Sequence, residues 1–182
     1  MTQDTVVPLR ALRCIVVSHE MTIIRGRGPL EPTSAPDQPI ALSFDMSASS
    51  PSLTVAGADH VADVLAQEEG GVRVVLLLAP EVVGKIDGSF QPGASERRDY
   101  YLPSELRAIA LAVRDCERHG GAGEIYLGAK GIELLYETWA ALDAGSLTPM
   151  AAGADLTQAD SQRIAAALNL IESRWLSAWV RS

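Results

Sequence analysis

The chain has 182 residues, 47% of them apolar and 21% charged, which supplies enough apolar surface for one generous core and excludes global disorder. Its net charge of −8 is spread out, with 8 basic and 13 acidic side chains in residues 1–100 and 7 and 10 in the remainder, so neither half offers the Lys/Arg stripe that phosphate binding needs. No run of about 18 apolar residues occurs, so no transmembrane helix is expected. Asp4 and Pro8 precede the first apolar run without a basic leader, which argues against a signal peptide and for a cytoplasmic location.

The pattern changes near Tyr100, where short apolar runs punctuated by Gly, Pro, Ser and Asp give way to long stretches with helical period. Residues 12–18 have the β-branched, half-alternating character of a strand, and residues 21–25 are spaced to pair with it before the break at Gly26-Arg-Gly-Pro29. Four prolines make residues 29–39 a loop. Residues 40–46 alternate, with Ile40, Leu42, Phe44 and Met46 on one face and Ser43 and Asp45 on the other, which predicts a half-buried strand. A short strand is expected at 53–55. Val61, Val64 and Leu65 stand at i, i+3 and i+4 within 58–67, a helix that ends before Gly70-Gly71. Residues 72–78 read as a buried strand, Pro80 opens a short helix through Val83, and 84–93 is rich in turn residues.

In the second half, residues 103–119 read as a helix with Leu106, Ile109, Ala110 and Val113 inward, stopped by Gly120-Gly121. Residues 124–144 read as another, with Ile125, Ala129, Ile132, Leu135, Tyr136, Trp139 and Leu142 on one stripe of period 3.6. After a loop containing Gly145, Pro149 and Gly153, Thr157-Gln-Ala-Asp160 has the spacing of a capping box. It opens a third helix with Ile164, Ala167, Leu168, Ile171, Trp175 and Trp179 on one face. The expected fold class is therefore α+β. A β-rich lobe over 1–100, mostly antiparallel and with a closed barrel as one form open to it, packs on a helical hairpin and a C-terminal helix over 101–182, as one unit overall.

The search for chemistry finds little. His19, His60 and His119 are scattered, and the single Cys116-x-x-His119 pair has no second pair to complete four ligands, so no metal is expected. Cys14 and Cys116 read as free thiols of a reducing compartment. No Gly-x-Ser-x-Gly elbow occurs, no catalytic residue is assigned, and the chain is not read as an enzyme. Lys130, Glu133 and Glu137 form a solvated ion-pair stripe. Gly26-Arg-Gly28 fits neither phosphate-binding glycine motif, and no cofactor is expected. Arg25 and Arg27 beside that turn are candidate ligand-binding residues for an anion at the mouth of a β-fold, with a plain surface turn as the other reading.

Two motifs of the second half carry a resemblance. Tyr126-Leu-Gly-Ala-Lys130-Gly-Ile-Glu133-Leu134-Leu135, followed after a loop by Leu156-Thr-Gln-Ala-Asp160-Ser-Gln-Arg163-Ile164, resembles the middle of AraC-type transcriptional regulators over about 80 residues. In that family a Tyr-x-x-x-Lys-x-x-Glu-Leu-Leu helix follows the effector domain and precedes a Leu-(Ser/Thr)-x-x-Asp-x-x-Arg start to the next helix. The sequence given stops at Ser182, seven residues past Trp175, where the family continues into two helix-turn-helix units. The resemblance thus implies an effector-sensing and dimerisation portion without the DNA-reading head. It implies a homodimer with interface residues Ile132, Leu135, Tyr136, Trp139, Trp175 and Trp179, a small-molecule effector, and no direct DNA binding. The alternative expectations are a stand-alone interaction or inhibitory protein that pairs with a regulator and, behind it, an enzyme with an unrecognised site.

Overall fold

The computed structural model describes residues 12–46, 50–68, 71–86 and 89–150. The chain divides into two units, Met1–Met150 and Ala151–Ser182, and every described residue belongs to the first. The expected third helix, with Trp175 and Trp179, lies outside the described residues.

Two β-branched runs separated by two residues, Arg13–Ser18 (β1) and Met21–Gly26 (β2), pair antiparallel with Ile15 opposite Ile23. Ile40–Asp45 (β3) pairs in the same sense with Ser52–Ala56 (β4), Leu42 opposite Val55. Arg73–Leu78 (β5) lies between the two hairpins, with Leu76 opposite both Ile23 and Leu42. Arg97–Tyr101 (β6) completes a six-stranded sheet in the order β1-β2-β5-β3-β4-β6, antiparallel throughout. The sheet is open, so the barrel form is corrected: β1 and β6 end it on opposite sides and are not paired with each other.

Period-2 alternation then sorts side chains to two faces. On one face Ile15, Ile23, Leu42, Phe44, Val55, Leu76 and Leu78 join the helices Pro80–Lys85 (α2), Ser104–Arg114 (α3) and Gly120–Asp143 (α4) in the main core. On the other, Ile24, Ala41, Val75 and Leu77 meet Val61 and Val64 of the short helix Val61–Ala66 (α1), which follows a single 3-10 turn at Ala58–His60. β3 is consequently buried on both faces, Ser43 included, and the expectation of a half-buried strand is corrected.

β6 runs through Tyr100, where the sequence pattern changes, and the main core is continuous from the sheet into α3 and α4. β6 itself was not expected. Its sequence, Arg97-Arg-Asp-Tyr-Tyr101, buries only Tyr100, and its charges mask the alternation.

The hairpin differs from expectation at its turn. α3 ends at Arg114, and Gly120-Gly121 begin α4 where they were expected to stop α3. Gly120 has φ +66°, a left-handed conformation that favours glycine. Gly123 lies so close under the incoming chain that a Cβ there would stand 2.6 Å from the Arg118 carbonyl oxygen. The glycines thus serve a tight entry into α4.

Candidate interaction surface

The candidate surface is built from α4, because it holds four of the six predicted interface residues. Its core side is lined by Leu127, Leu134, Leu135, Thr138, Trp139 and Leu142 together with Gly128 and Gly131. The glycines set its approach to the sheet. A Cβ at Gly131 would meet Ile23 Cδ1 at 2.3 Å and Met21 Cε at 3.2 Å, whereas one at Gly128 would have Val17 Cγ1 as nearest neighbour at 3.8 Å. Gly131 therefore faces β2 and Gly128 faces β1.

The same helix carries a second apolar strip. Ile125, Ile132 and Tyr136 are 76%, 54% and 64% exposed, and Ala129 between them is exposed as well. At 100° per residue the four fall within a sector about 60° wide, beginning some 40° past Gly128 on the side away from Gly131. The strip thus looks outward beyond β1. Lys130 and Glu133 flank it as an ion pair 2.6 Å long, a hydrogen bond that raises the Lys130 ammonium above its ordinary value.

These facts separate the predicted interface residues. Ile132 and Tyr136 are at the surface. Leu135 and Trp139 are buried in the chain's own core, so their assignment to an interface is corrected. Phe90 packs edge-on against the Trp139 ring at 5.4 Å between centroids. Among the described residues Trp139 Nε1 and Thr138 Oγ1 are buried without a hydrogen-bond partner. Trp175 and Trp179 lie outside the described residues. The large side chains alone suggested one broad stripe; the glycines reveal two faces, since Gly128 and Gly131 define the side that touches the sheet.

Arg25 and Arg27 also part company. Arg25 is half-buried, and its Nη1 donates to the carbonyls of Val113 and Arg114, each at 3.0 Å, at the C-terminus of α3. Its cation there complements the negative end of the helix. Arg13, opposite Arg25 in the β1–β2 register, donates from Nη1 to the Arg118 carbonyl at 2.8 Å. The two strands thereby grip both ends of the α3–α4 connection, and Arg25, a candidate ligand contact from the sequence, makes a positioning contact there. Arg27 is exposed on the turn.

Arg73, which sequence reasoning passed over inside an apolar strand, is buried and donates to the carbonyls of Val64, Leu65 and Gln67 behind α1, to Gln67 Oε1, and to the Gly28 carbonyl. Desolvation lowers its pKa, partly opposed by the charge of Asp45. The one signal available was a lone charge in a run of six residues otherwise made of Val and Leu.

Among the described residues no three His, Cys, Asp or Glu side chains converge as metal ligands would, and no helix is long and apolar enough to cross a membrane. Cys14 and Cys116 are free thiols. No protein-family model matches the sequence, and no curated protein or solved structure matches it.

Proposed function

We propose that this chain is a self-associating regulatory domain, of the effector-sensing and dimerising kind its AraC-type motifs imply, and that it acts by pairing with a second copy through the outer side of α4. The observation that carries this reading is the strip of Ile125, Ala129, Ile132 and Tyr136, exposed on a helix whose opposite side is buried against α3 and the sheet. Apolar side chains scattered singly over a surface need no explanation, but four in register over three turns of one helix mark a surface that gains free energy by being covered. The Lys130–Glu133 pair and Glu137 then belong to the rim, where exposed charges contribute little affinity. A two-fold assembly is the commonest closed form such a surface takes.

Of the two arginines, exposed Arg27 is the better placed to meet an anion, because Arg25 Nη1 bonds the end of α3. Sensing by this domain would consist of a ligand favouring one arrangement of the pair over another. Sedimentation equilibrium over a micromolar concentration range tests the pairing. A mass rising towards twice 19.3 kDa is expected, and 19.3 kDa at every concentration contradicts it.

A further inference from the structure

The two ends of the sheet are treated differently. At β6 the edge is covered by the chain itself: Tyr101 N donates to the Thr148 carbonyl, Met150 N donates to the Asp99 carbonyl, and Pro149 forms a bridge with Tyr100. At the other end, β1 has β2 as its one strand partner among the described residues. Natural edges are blunted by proline, charge, bulges or a covering segment, because a free strand edge pairs with whatever chain it meets. β1 has no proline, and Arg13 at its start is its single charge. Its register with β2 is regular from Arg13 to Val16, with the irregularity confined to the last two residues. Val16 on it is 55% exposed and Leu12 just before it 44%.

The α4 strip looks out over this same edge, and the strip alone is too small to hold a dimer. From residue 125 to 136 it is about 17 Å long and, for one helix, about 10 Å wide. That footprint falls well short of the roughly 600 Å² per partner at the low end of stable interfaces. A second contact region is needed, and β1 adjoins the strip.

We propose that a second copy of this chain pairs its β1 antiparallel with β1, across a two-fold axis normal to the sheet, so that one continuous sheet forms and the two α4 strips meet above the seam. This rests on the self-association reading and names its contact. The geometry favours a second copy over another partner. Such an axis keeps both α4 helices on the same face of the joined sheet. Gly128 over Val17 and Gly131 over Ile23 and Met21 put the α4 axis above the β1–β2 pair. With strands about 4.8 Å apart, each axis stands about one strand spacing from the seam. The two α4 axes are then about 10 Å apart, at the upper end of the roughly 8–10 Å at which helices pack. Strand pairing and helix packing are thus satisfied by one symmetric arrangement.

Hydrogen exchange on the whole chain, at concentrations below and above the dimer midpoint, tests this. The proposal expects the alternate amides of residues 13–17 that point away from β2 to slow at least tenfold on dimerisation, whereas those already bonded to β2 change little. It also expects Val16→Lys, an exposed site whose substitution leaves the monomer core untouched, to weaken the dimer at least tenfold. Circular dichroism of that variant checks that the monomer stays folded, and the exchange measurement needs no variant. A dimer that Ile132→Glu breaks, yet whose β1 amides exchange at one rate throughout, overturns the edge pairing and leaves the α4 reading standing. If the outward-pointing β1 amides are slow at every concentration, the edge is already covered within one chain, which also overturns it. A monomer at all concentrations sinks both readings together.

Discussion

Arg13, Arg25 and Arg73 direct their guanidinium groups at backbone carbonyls, and two of them do so where a helix ends. Carbonyls of a helix's last turn lack intrahelical donors, and a buried one left unpaired costs about 1–3 kcal/mol. Arg25→Ala is therefore expected to lower stability by about 2 kcal/mol in urea denaturation, since hydrogen bonds from charged donors contribute about 1.5–3 kcal/mol. Arg27→Ala, at an exposed turn, should stay within about 0.5 kcal/mol of the parent. Equal effects of the two would contradict the role given to Arg25.

Asp143, at the end of α4, accepts hydrogen bonds from the backbone N–H and hydroxyl of Ser89. The backbone bond is the largest cause of its lowered pKa, followed by the hydroxyl and, against a small desolvation penalty, the Phe90 backbone. A carboxyl whose folded pKa is depressed contributes stability above its unfolded value, near about 3.9, and loses it as pH falls through the folded value. Asp143→Asn should thus be less stable than the parent at neutral pH and show a shallower fall in acid. Parallel pH curves for the two proteins would contradict this.

At the scale of elements, α4 was foreseen to within four residues at its start and one at its end, because five turns of apolar periodicity are hard to mistake. Which side faced the sheet was not foreseen. The sequence reading weighted Ile125, Ile132 and Tyr136 with Leu135, Trp139 and Leu142, although glycine, whose lack of a side chain permits close approach, lines the contact. β6 and the early end of α3 were missed for a related reason. Their boundaries follow from tertiary partners, namely β4 for the one and Arg25 for the other, which no local window contains. Trp139, assigned to an interface from the sequence, is 1% exposed. Trp139→Ala is expected to cost about 3–5 kcal/mol of unfolding free energy, as large aromatic truncations do. A loss below about 1 kcal/mol would mean that α4 is not anchored there.

For the whole molecule, the α+β class and the antiparallel sense of the sheet were legible, since short β-branched runs with turn residues between them leave few other arrangements. The open sheet was not, because closure depends on which strands end up at the edges. β5 inserts between two hairpins that local pattern joins separately. The candidate surface was half legible: Ile132 and Tyr136 are exposed, whereas Leu135 and Trp139 belong to the core and Arg25 to the α3 terminus. That β1 ends the sheet, with β2 as its one strand partner among the described residues, was invisible in the sequence, where its β-branched, half-alternating run reads like that of any strand.

α4 has two roles, presenting a surface that pairs while its other side holds the monomer together. Ile132→Glu separates the two roles, because Ile132 is 54% exposed and touches the strip without supporting the core. The measurement is the solution mass of this variant beside the parent at the same micromolar concentration, with thermal unfolding recorded for both. The account predicts that the parent approaches twice 19.3 kDa, and that the variant stays at 19.3 kDa with a cooperative unfolding transition. A variant that keeps the parent's dimeric mass would contradict it.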